Sequence, residues 1–174
     1  ELFEIDGITI VMGNHNDIDL LASNACLLLQ MCDMSSKIPV VKGASKPIAY
    51  AYDGYSGIEV HSKNGLGNIE HPVQNLNRTP LEKYKGSSAA QFMVQHVLAN
   101  PGEITICAVG PLTNVALAAA IGGREFVRSV KRVVIMGGSV EGIGNKTAAA
   151  EANIANDPHA ARIVFDAFSD ITMA

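Results

Sequence analysis

A short stretch near the end of the chain combines a carboxylate and amides with small apolar residues. It runs from Asn145 to Ala161 and reads "NKTAAAEANIANDPHAA". A carboxylate among alanines, as at Glu151, is either desolvated and paired or binds a ligand. Glu151 and Asn153 form a Glu-x-Asn pair, which in extended geometry projects both side chains to the same side. Such a pair suits sugar hydroxyls, because a carboxylate accepts hydrogen bonds while an amide both donates and accepts them.

Other polar residues have two interpretations each. Asn14 follows an apolar run but also fits a turn after Gly13, and Asn145 likewise fits a turn. Thr113 stands where a helix begins, a position that needs no ligand to explain it. His61 lies in the loop "VHSKNGLGN", and a lone loop histidine is usually a surface residue.

Apolar runs and helix-like patterns alternate along the chain and indicate the elements that hold these residues. Runs typical of buried strands cover residues 2–12, 38–43, 103–110, 132–138 and 170–174. Helices are predicted after Asp17 or Asp19, after Ser87 or Ser88, from Pro111, and after Asp157 with Pro158 at the first helical position. Residues 44–86 form a long polar connection, which is usually functional or locally disordered.

This alternation predicts a single α/β domain over residues 1–174. The sheet is Rossmann-like and mainly parallel, with helices on both faces. Ligands of such sheets bind outside the carboxyl ends of the strands. We therefore expect Asn14, Thr113 and the loop bearing Glu151 to meet at one edge.

Composition excludes several classes of protein. The net charge of −4 argues against a nucleic-acid-binding surface. No stretch reaches the roughly 18 apolar residues of a membrane span. The three cysteines lie in apolar runs and are predicted to be buried free thiols in a reducing, cytoplasmic compartment. No dinucleotide fingerprint, phosphate-binding loop or zinc-type cluster is present in the sequence.

Several segments together resemble the inosine-uridine-preferring nucleoside hydrolase family. They are "DGITIVMGN", "VHSKNGLGN", "PGEITICAVGPLTNVALA", "VKRVVIMGG" and "GNKTAAAEANIANDPHAARIVF", and they span essentially the whole chain in the family's order. The resemblance implies hydrolysis of the N-glycosidic bond of ribonucleosides, giving ribose and free base, through an oxocarbenium-like cation. It also implies a calcium ion that binds the catalytic water and the ribose 2′- and 3′-hydroxyls, and an assembly of two or four subunits.

The resemblance assigns roles to individual residues. Thr113 resembles the residue whose main-chain carbonyl binds calcium. Asn145 and Glu151 resemble the pair that holds the ribose 5′-hydroxyl, and Asn153 resembles an amide that contacts the ribose hydroxyls near the metal. Three further matches are Met136 as a residue lining the sugar pocket, Asn14 as a pocket amide and His61 as the active-site histidine. Ser62 replaces the glycine usual after that histidine.

The chain also departs from the family pattern. The Asp-rich signature D-x-D-x-x-x-D-D, which supplies the general base and most calcium ligands, is absent from this sequence, as is a C-terminal His-Asp segment. We therefore expect this chain to be the central portion of a hydrolase, unable alone to bind calcium tightly or to hydrolyse nucleosides. One alternative is a non-catalytic ribose- or nucleoside-binding module. Another is an unrelated doubly wound domain, which predicts that Glu151 forms a salt bridge in the core.

Overall fold

The structure is a computed structural model that describes residues 3–49, 57–69 and 75–174. Its strands are all paired in parallel, and helices follow them along the chain. The predicted α/β class with parallel strands is confirmed. The described residues divide into two compact units, one formed by residues 3–45, 57–69 and 75–89 and the other by 46–49 and 90–174.

The first unit consists of a parallel strand pair and a covering helix. Its elements are β1 (Ile8–Ile10), α1 (Ile18–Met31), β2 (Val40–Lys42), α2 (Ile58–His61) and α3 (Thr79–Glu82). Ile8 lies opposite Val40 in the strand pair. The core consists of buried side chains of α1 packed against β2 and the residue two positions before it, namely Ala22, Cys26, Leu29, Ile38 and Val40.

The second unit contains three parallel strands in the order β3-β4-β5. Its elements are α4 (Ala89–Ala99), β3 (Thr105–Ala108), α5 (Thr113–Ser129), β4 (Arg132–Ile135), α6 (Ala152–Asn156), α7 (Pro158–Ala167) and β5 (Ile171–Met173). Phe126, Ile135 and Val164 are fully buried at its centre. This core fixes β3 and β4, whose carboxyl ends lead into the candidate site.

Capping explains where two of the helices begin. The Asp17 carboxylate accepts hydrogen bonds from the N–H groups of Asp19 and Leu20, so Asp17 is the N-cap of α1. Asp157 caps α7, and Pro158 occupies its first position as predicted.

The structure shortens the predicted strands and corrects one helix start. The strand predicted over residues 2–12 contains only Ile8–Ile10, which pair with the three residues of β2. Leu2 lies outside the described residues. Pro111 precedes the N-cap Leu112, so it stands before α5 rather than in its first turn. The long connection 44–86 includes the short helices α2 and α3.

The prediction for the cysteines is wrong for two of the three. All three are free thiols, but only Cys26 is buried, while Cys32 and Cys107 are exposed. Cys32 is the C-cap of α1 and Cys107 is an outward residue of β3, so an apolar sequence neighbourhood did not ensure burial. Burial raises the pKa of the Cys26 thiol, an effect that the positive charge of Arg78 partly opposes.

Candidate functional site

The segment after β4 contains two glycines in unusual backbone conformations. Gly137 and Gly138 adopt φ values of 159° and 79°, which side chains rarely tolerate. The N–H of Gly138 donates to Glu151 Oε2 at 2.9 Å. A Cβ on Gly137 would lie 3.0 Å from the same oxygen. The glycines therefore let the backbone after β4 approach the Glu151 carboxylate closely.

Glu151 is the N-cap of α6. Its Oε1 accepts from the N–H of Asn153 at 2.9 Å, and its Oε2 accepts from Ile154 at 3.2 Å. With Gly138, three backbone amides thus bind the carboxylate, and no cation pairs with it within the described ranges. The salt bridge expected by the unrelated-domain alternative is therefore not found there.

The predicted extended geometry of the Glu-x-Asn pair is wrong. Glu151 itself is extended, with φ −77° and ψ 148°, but Asn153 lies in α6. Asn153 is helical because the Glu151 carboxylate accepts hydrogen bonds from the backbone N–H groups of Asn153 and Ile154, which is the arrangement of a helix N-cap. The two side chains nevertheless lie on the same side, since a Cβ on Gly137 would be 3.0 Å from Glu151 Oε2 and 3.4 Å from the Asn153 Cβ.

The Asn153 side chain is almost fully buried and joins Met136 to this group. Its Nδ2 donates to the Met136 carbonyl oxygen at 3.0 Å and lies 3.5 Å from the Met136 sulfur. Met136 is anchored in turn, because its N–H donates to the carbonyl of Ala108 at the end of β3. No protein partner for the Oδ1 of Asn153 is found in the described part of the chain.

Asn145 closes a tight loop directly before Glu151. Its Oδ1 accepts from the N–H of Ala152 at 2.8 Å, and its own N–H donates to the Ala150 carbonyl at 3.2 Å. A Cβ on Gly144 would come within 2.3 Å of the Ala150 nitrogen, so only glycine fits there. The predicted trio of Asn145, Glu151 and Asn153 is thus brought together, and the Nδ2 of Asn145 has no partner among the described residues.

Sequence reasoning missed a second carboxylate at this edge. Asp157 is fully buried, and its Oδ2 accepts from the Thr113 hydroxyl at 2.7 Å and from the Ile48 N–H at 3.0 Å. Its Oδ1 accepts from the N–H of Ala160 at 3.0 Å. The sequence shows the cap of α7 but gives no signal for the link to Thr113. Thr113 is therefore held by its side chain at the start of α5, which fixes the position of its main chain.

Lys146 is a further neighbour that the sequence did not single out. Its Nζ donates to the Asn156 side chain at 2.5 Å, across the loop that contains Asn145. The buried side chain of Asn156 therefore fixes the Lys146 ammonium group on the segment that contains the trio.

His61 and Asn14 lie in the first unit, around Gly57. His61 is the last residue of α2, and a Cβ on Gly57 would lie 2.7 Å from its ring. The same Cβ would lie 3.3 Å from the carbonyl oxygen of Asn14. The structure thus brings these two predicted residues together. Whether they meet the residues of the second unit at one edge stays a prediction.

The loop after His61 has a defined shape. The Oδ1 of Asn64 accepts from the N–H groups of Leu66 and Asn68, and its carbonyl accepts from Asn24 Nδ2 at 2.9 Å. Ser62 adopts φ 64° and ψ 175°, a region that strongly favours glycine. A serine at this position therefore strains the loop.

Calcium does not fit the described residues by themselves. A calcium ion takes about six to eight oxygen ligands, several of them carboxylates. Residues 3–49, 57–69 and 75–174 contain no group of three or more His, Cys, Asp or Glu side chains placed to hold a metal. The carboxylates of Glu151 and Asp157 are already bound by backbone amides. The ligand role predicted for the Thr113 carbonyl stays a prediction.

No helix in the described ranges is both long enough and apolar enough to cross a bilayer.

Comparison with known proteins agrees with the motif resemblance. The profile described as "inosine-uridine preferring nucleoside hydrolase" matches residues 1–174. The chain is 41% identical over 170 residues to uridine nucleosidase 1 of Arabidopsis thaliana, covering 98% of this chain and 48% of that protein.

Two solved structures are similar in fold. A plant nucleoside hydrolase, the PpNRh1 enzyme, aligns with a TM-score of 0.86 at 32% identity, covering 98% of this chain and 51% of that one. A purine-preferring ribonucleoside hydrolase from Gardnerella vaginalis aligns with a TM-score of 0.82 at 28% identity, covering 98% of this chain and 52% of that one. The chain thus spans about half the length of the relatives it matches.

Proposed function

Because the chain belongs to the inosine-uridine preferring nucleoside hydrolase family, we propose that it supplies the ribose-holding part of an enzyme that hydrolyses ribonucleosides to ribose and free base. One observation carries the proposal. Asn145, Glu151 and Asn153 are each fixed by backbone hydrogen bonds, yet each keeps hydrogen-bonding capacity unused by the described protein.

The unused atoms match the chemistry of a sugar. Asn145 keeps both N–H donors of its amide, Asn153 keeps its Oδ1 acceptor, and Glu151 Oε1 can accept beyond its one bond to Asn153. A hydroxyl donates one hydrogen bond and accepts others, so mixed donors and acceptors favour it over a charged group. The proposed contacts are the ribose 5′-hydroxyl for Asn145 and Glu151 and the lower hydroxyls for Asn153.

Rigid contacts to these hydroxyls aid a reaction at the distant glycosidic bond. Binding energy gained at non-reacting groups can distort the ring toward the oxocarbenium-like transition state. The backbone bonds of the trio hold its side chains in place before substrate arrives, so little ordering remains to be done on binding. His61 is proposed as an active-site histidine and Met136 as a wall of the sugar pocket, with Asn14 as a pocket amide.

Calcium remains the proposed cofactor of the complete enzyme, where it would supply an activated water. The described residues do not fit the ion alone, so no step is assigned through it. We propose accordingly that the 174-residue chain by itself is inactive. A role in nucleoside salvage, a cytoplasmic location and a dimeric or tetrameric assembly are likewise proposals.

The test compares two asparagine variants in the complete protein that contains this chain. Asn153→Ala is the test variant and Asn100→Ala is the control. Each removes one side-chain hydrogen bond of 3.0 Å from an amide Nδ2 to a backbone carbonyl, that of Met136 for Asn153 and that of His96 on α4 for Asn100. Release of ribose from uridine is measured first, because the Arabidopsis relative is named a uridine nucleosidase. Inosine is the purine arm.

We expect Asn153→Ala to lower kcat/KM about tenfold or more, since one or two hydrogen bonds to substrate are lost. Asn100→Ala should leave it within about twofold of wild type. Equal effects of the two variants, or no ribose from either nucleoside, would contradict the proposal.

A non-catalytic ribose- or nucleoside-binding module is the second candidate. It uses the same trio, whose unused hydrogen-bonding atoms can bind ribose without any catalytic group. Calorimetry of the complete protein with uridine separates the two functions. Binding without turnover at millimolar calcium would support the module, whereas turnover would exclude it.

A further inference from the structure

A basic cavity opens at the amino end of the three-stranded sheet. Its volume is about 530 Å³, within the usual range of roughly 300–1,000 Å³ for small-molecule sites. Its lining includes four cationic side chains, Arg124, Arg128, Lys131 and Arg132.

This cavity is separate from the candidate site in the same unit. Arg132 is the first residue of β4, whereas Met136 and the glycines that approach Glu151 follow the last residue of β4. Because the strands are parallel, the amino ends of β4 and β5 lie together at the edge opposite the trio.

The charge of the lining is unusual for this chain. The lining contains four cationic side chains and one carboxylate, Asp170, although the net charge of the protein is −4. Asp170 pairs with Arg132 at 2.9 Å, while Arg124, Arg128 and Lys131 have no ion pair within the described residues. The α5 dipole favours only the cation in its last turn, Arg128. These exposed cations are solvated in the free protein, so they remain available to pair with an anion that enters the cavity.

Apolar side chains form the other part of the lining. Val127, Val130 and the buried Phe168 face the cavity, and Phe168 packs edge-to-face on Phe126 with 6.2 Å between ring centres. This fixed apolar surface suits the organic part of a ligand, because an inorganic ion alone gains nothing from it.

We propose that the cavity binds a phosphorylated small molecule with an aromatic or aliphatic part. Arg124, Arg128 and Lys131 hold the phosphate, since guanidinium groups bind its oxygens in pairs. Val127, Val130 and Phe168 contact the organic part. The inference does not depend on the proposed hydrolase activity.

The probe is phenyl phosphate, which carries the required ring and phosphate but no sugar for the trio to recognise. Calorimetry at low salt compares it with inorganic phosphate and with phenol. The double variant Arg124→Glu/Arg128→Glu removes the phosphate contacts, and the second variant Lys131→Gln removes one charge. The matched control is Arg162→Glu on α7, whose guanidinium pairs with Asp166 and does not line the cavity.

Phenyl phosphate should bind more tightly than phosphate or phenol. Binding should weaken about tenfold or more in the double variant and severalfold in Lys131→Gln, as expected for charge-assisted hydrogen bonds. Arg162→Glu should bind as wild type does. Thermal unfolding verifies that each variant is folded.

Three outcomes would overturn the proposal. They are unchanged binding in both cavity variants, an equal loss in Arg162→Glu, and no detectable binding of phenyl phosphate by the wild type. Tight, strongly salt-dependent binding of a short RNA without binding of phenyl phosphate would also overturn it, because that result indicates a surface for a polyanion.

Discussion

The two ends of the sheet β3-β4-β5 use charge in opposite ways. At the carboxyl end, Glu151 and Asp157 are buried or half-buried, and their oxygens accept hydrogen bonds from backbone amides. At the amino end, the arginines and lysine of the cavity are exposed, and a single carboxylate pairs with one of them. The carboxylates at the first end hold the backbone, and Glu151 is also proposed to contact ribose, whereas the cations at the second end are solvated and mostly unpaired within the described residues.

We infer from this difference that stability depends more on the charged groups at the carboxyl end than on those at the amino end. Removing a buried, hydrogen-bonded carboxylate leaves amides without partners, which costs free energy of folding. Removing an exposed cation costs little stability, because water solvates what remains. The variants below test that inference in order of decreasing effect.

Asp157→Ala should have the largest effect. It leaves the N–H groups of Ile48 and Ala160 and the hydroxyl of Thr113 without their acceptor. We expect the free energy of unfolding to fall by about 3 kcal/mol or more, measured by urea denaturation. The control Asp166→Ala, on the exposed side of the same helix, should stay within about 0.5 kcal/mol of wild type. Similar losses for both would remove the contrast between the two ends.

Gly144→Ala should follow, because a methyl group has no space beside Ala150 and the loop must open. We expect a loss of about 2 kcal/mol, together with a raised KM for nucleoside as Asn145 is displaced. Gly142→Ala is the comparison, since its φ of 71° disfavours alanine but open space surrounds it. That variant should lose only about 1 kcal/mol and keep its KM. The expectation fails if Gly144→Ala matches it in both measurements.

Glu151→Gln should cost about 1 kcal/mol, because an amide keeps one acceptor oxygen but loses the charge at the N-cap of α6. Thermal unfolding and nucleoside KM are measured alongside Glu141→Gln, an exposed residue of the preceding loop. We expect Glu141→Gln to change neither. A Glu151→Gln protein indistinguishable from it would show that neither the cap nor the proposed 5′-hydroxyl contact depends on the charge.

Asp170→Asn should have the smallest effect. Its pair with Arg132 is about half exposed on both sides, so we expect a change in stability below about 0.5 kcal/mol. The same variant should bind phenyl phosphate more tightly, because it removes the single carboxylate of the cavity lining. A stability loss as large as that of Asp157→Ala would contradict the assignment of separate roles to the two ends.

Local sequence patterns were sufficient for much of the fold. The alternation of strands and helices and the cap Asp157 follow from residues adjacent in sequence, and the structure has them. The sequence left Asp17 and Asp19 as alternative caps of α1, and the structure selects Asp17. The helices α2 and α3 were missed because four residues are too few to show a helical period. The helix α6 was missed because Glu151 looked like part of an extended segment until its capping bonds were known.

The candidate site divides in the same way. Asn145, Glu151 and Asn153 stand within nine residues of sequence, so their grouping could be predicted. The link between Thr113 and Asp157 spans 44 residues and leaves no local pattern. The basic cavity could not be predicted from the net charge of −4, because that sum does not show where in the fold the cationic residues cluster.

The hydrogen bonds of Asp157 also bear on the order of folding events. Its carboxylate joins positions 109 and 44 residues away in sequence, those of Ile48 and Thr113. Contacts between such distant positions carry a larger loop-closure entropy than local contacts do. We therefore expect these two contacts to form late in folding, so that loss of Asp157 raises the rate of unfolding more than it slows folding.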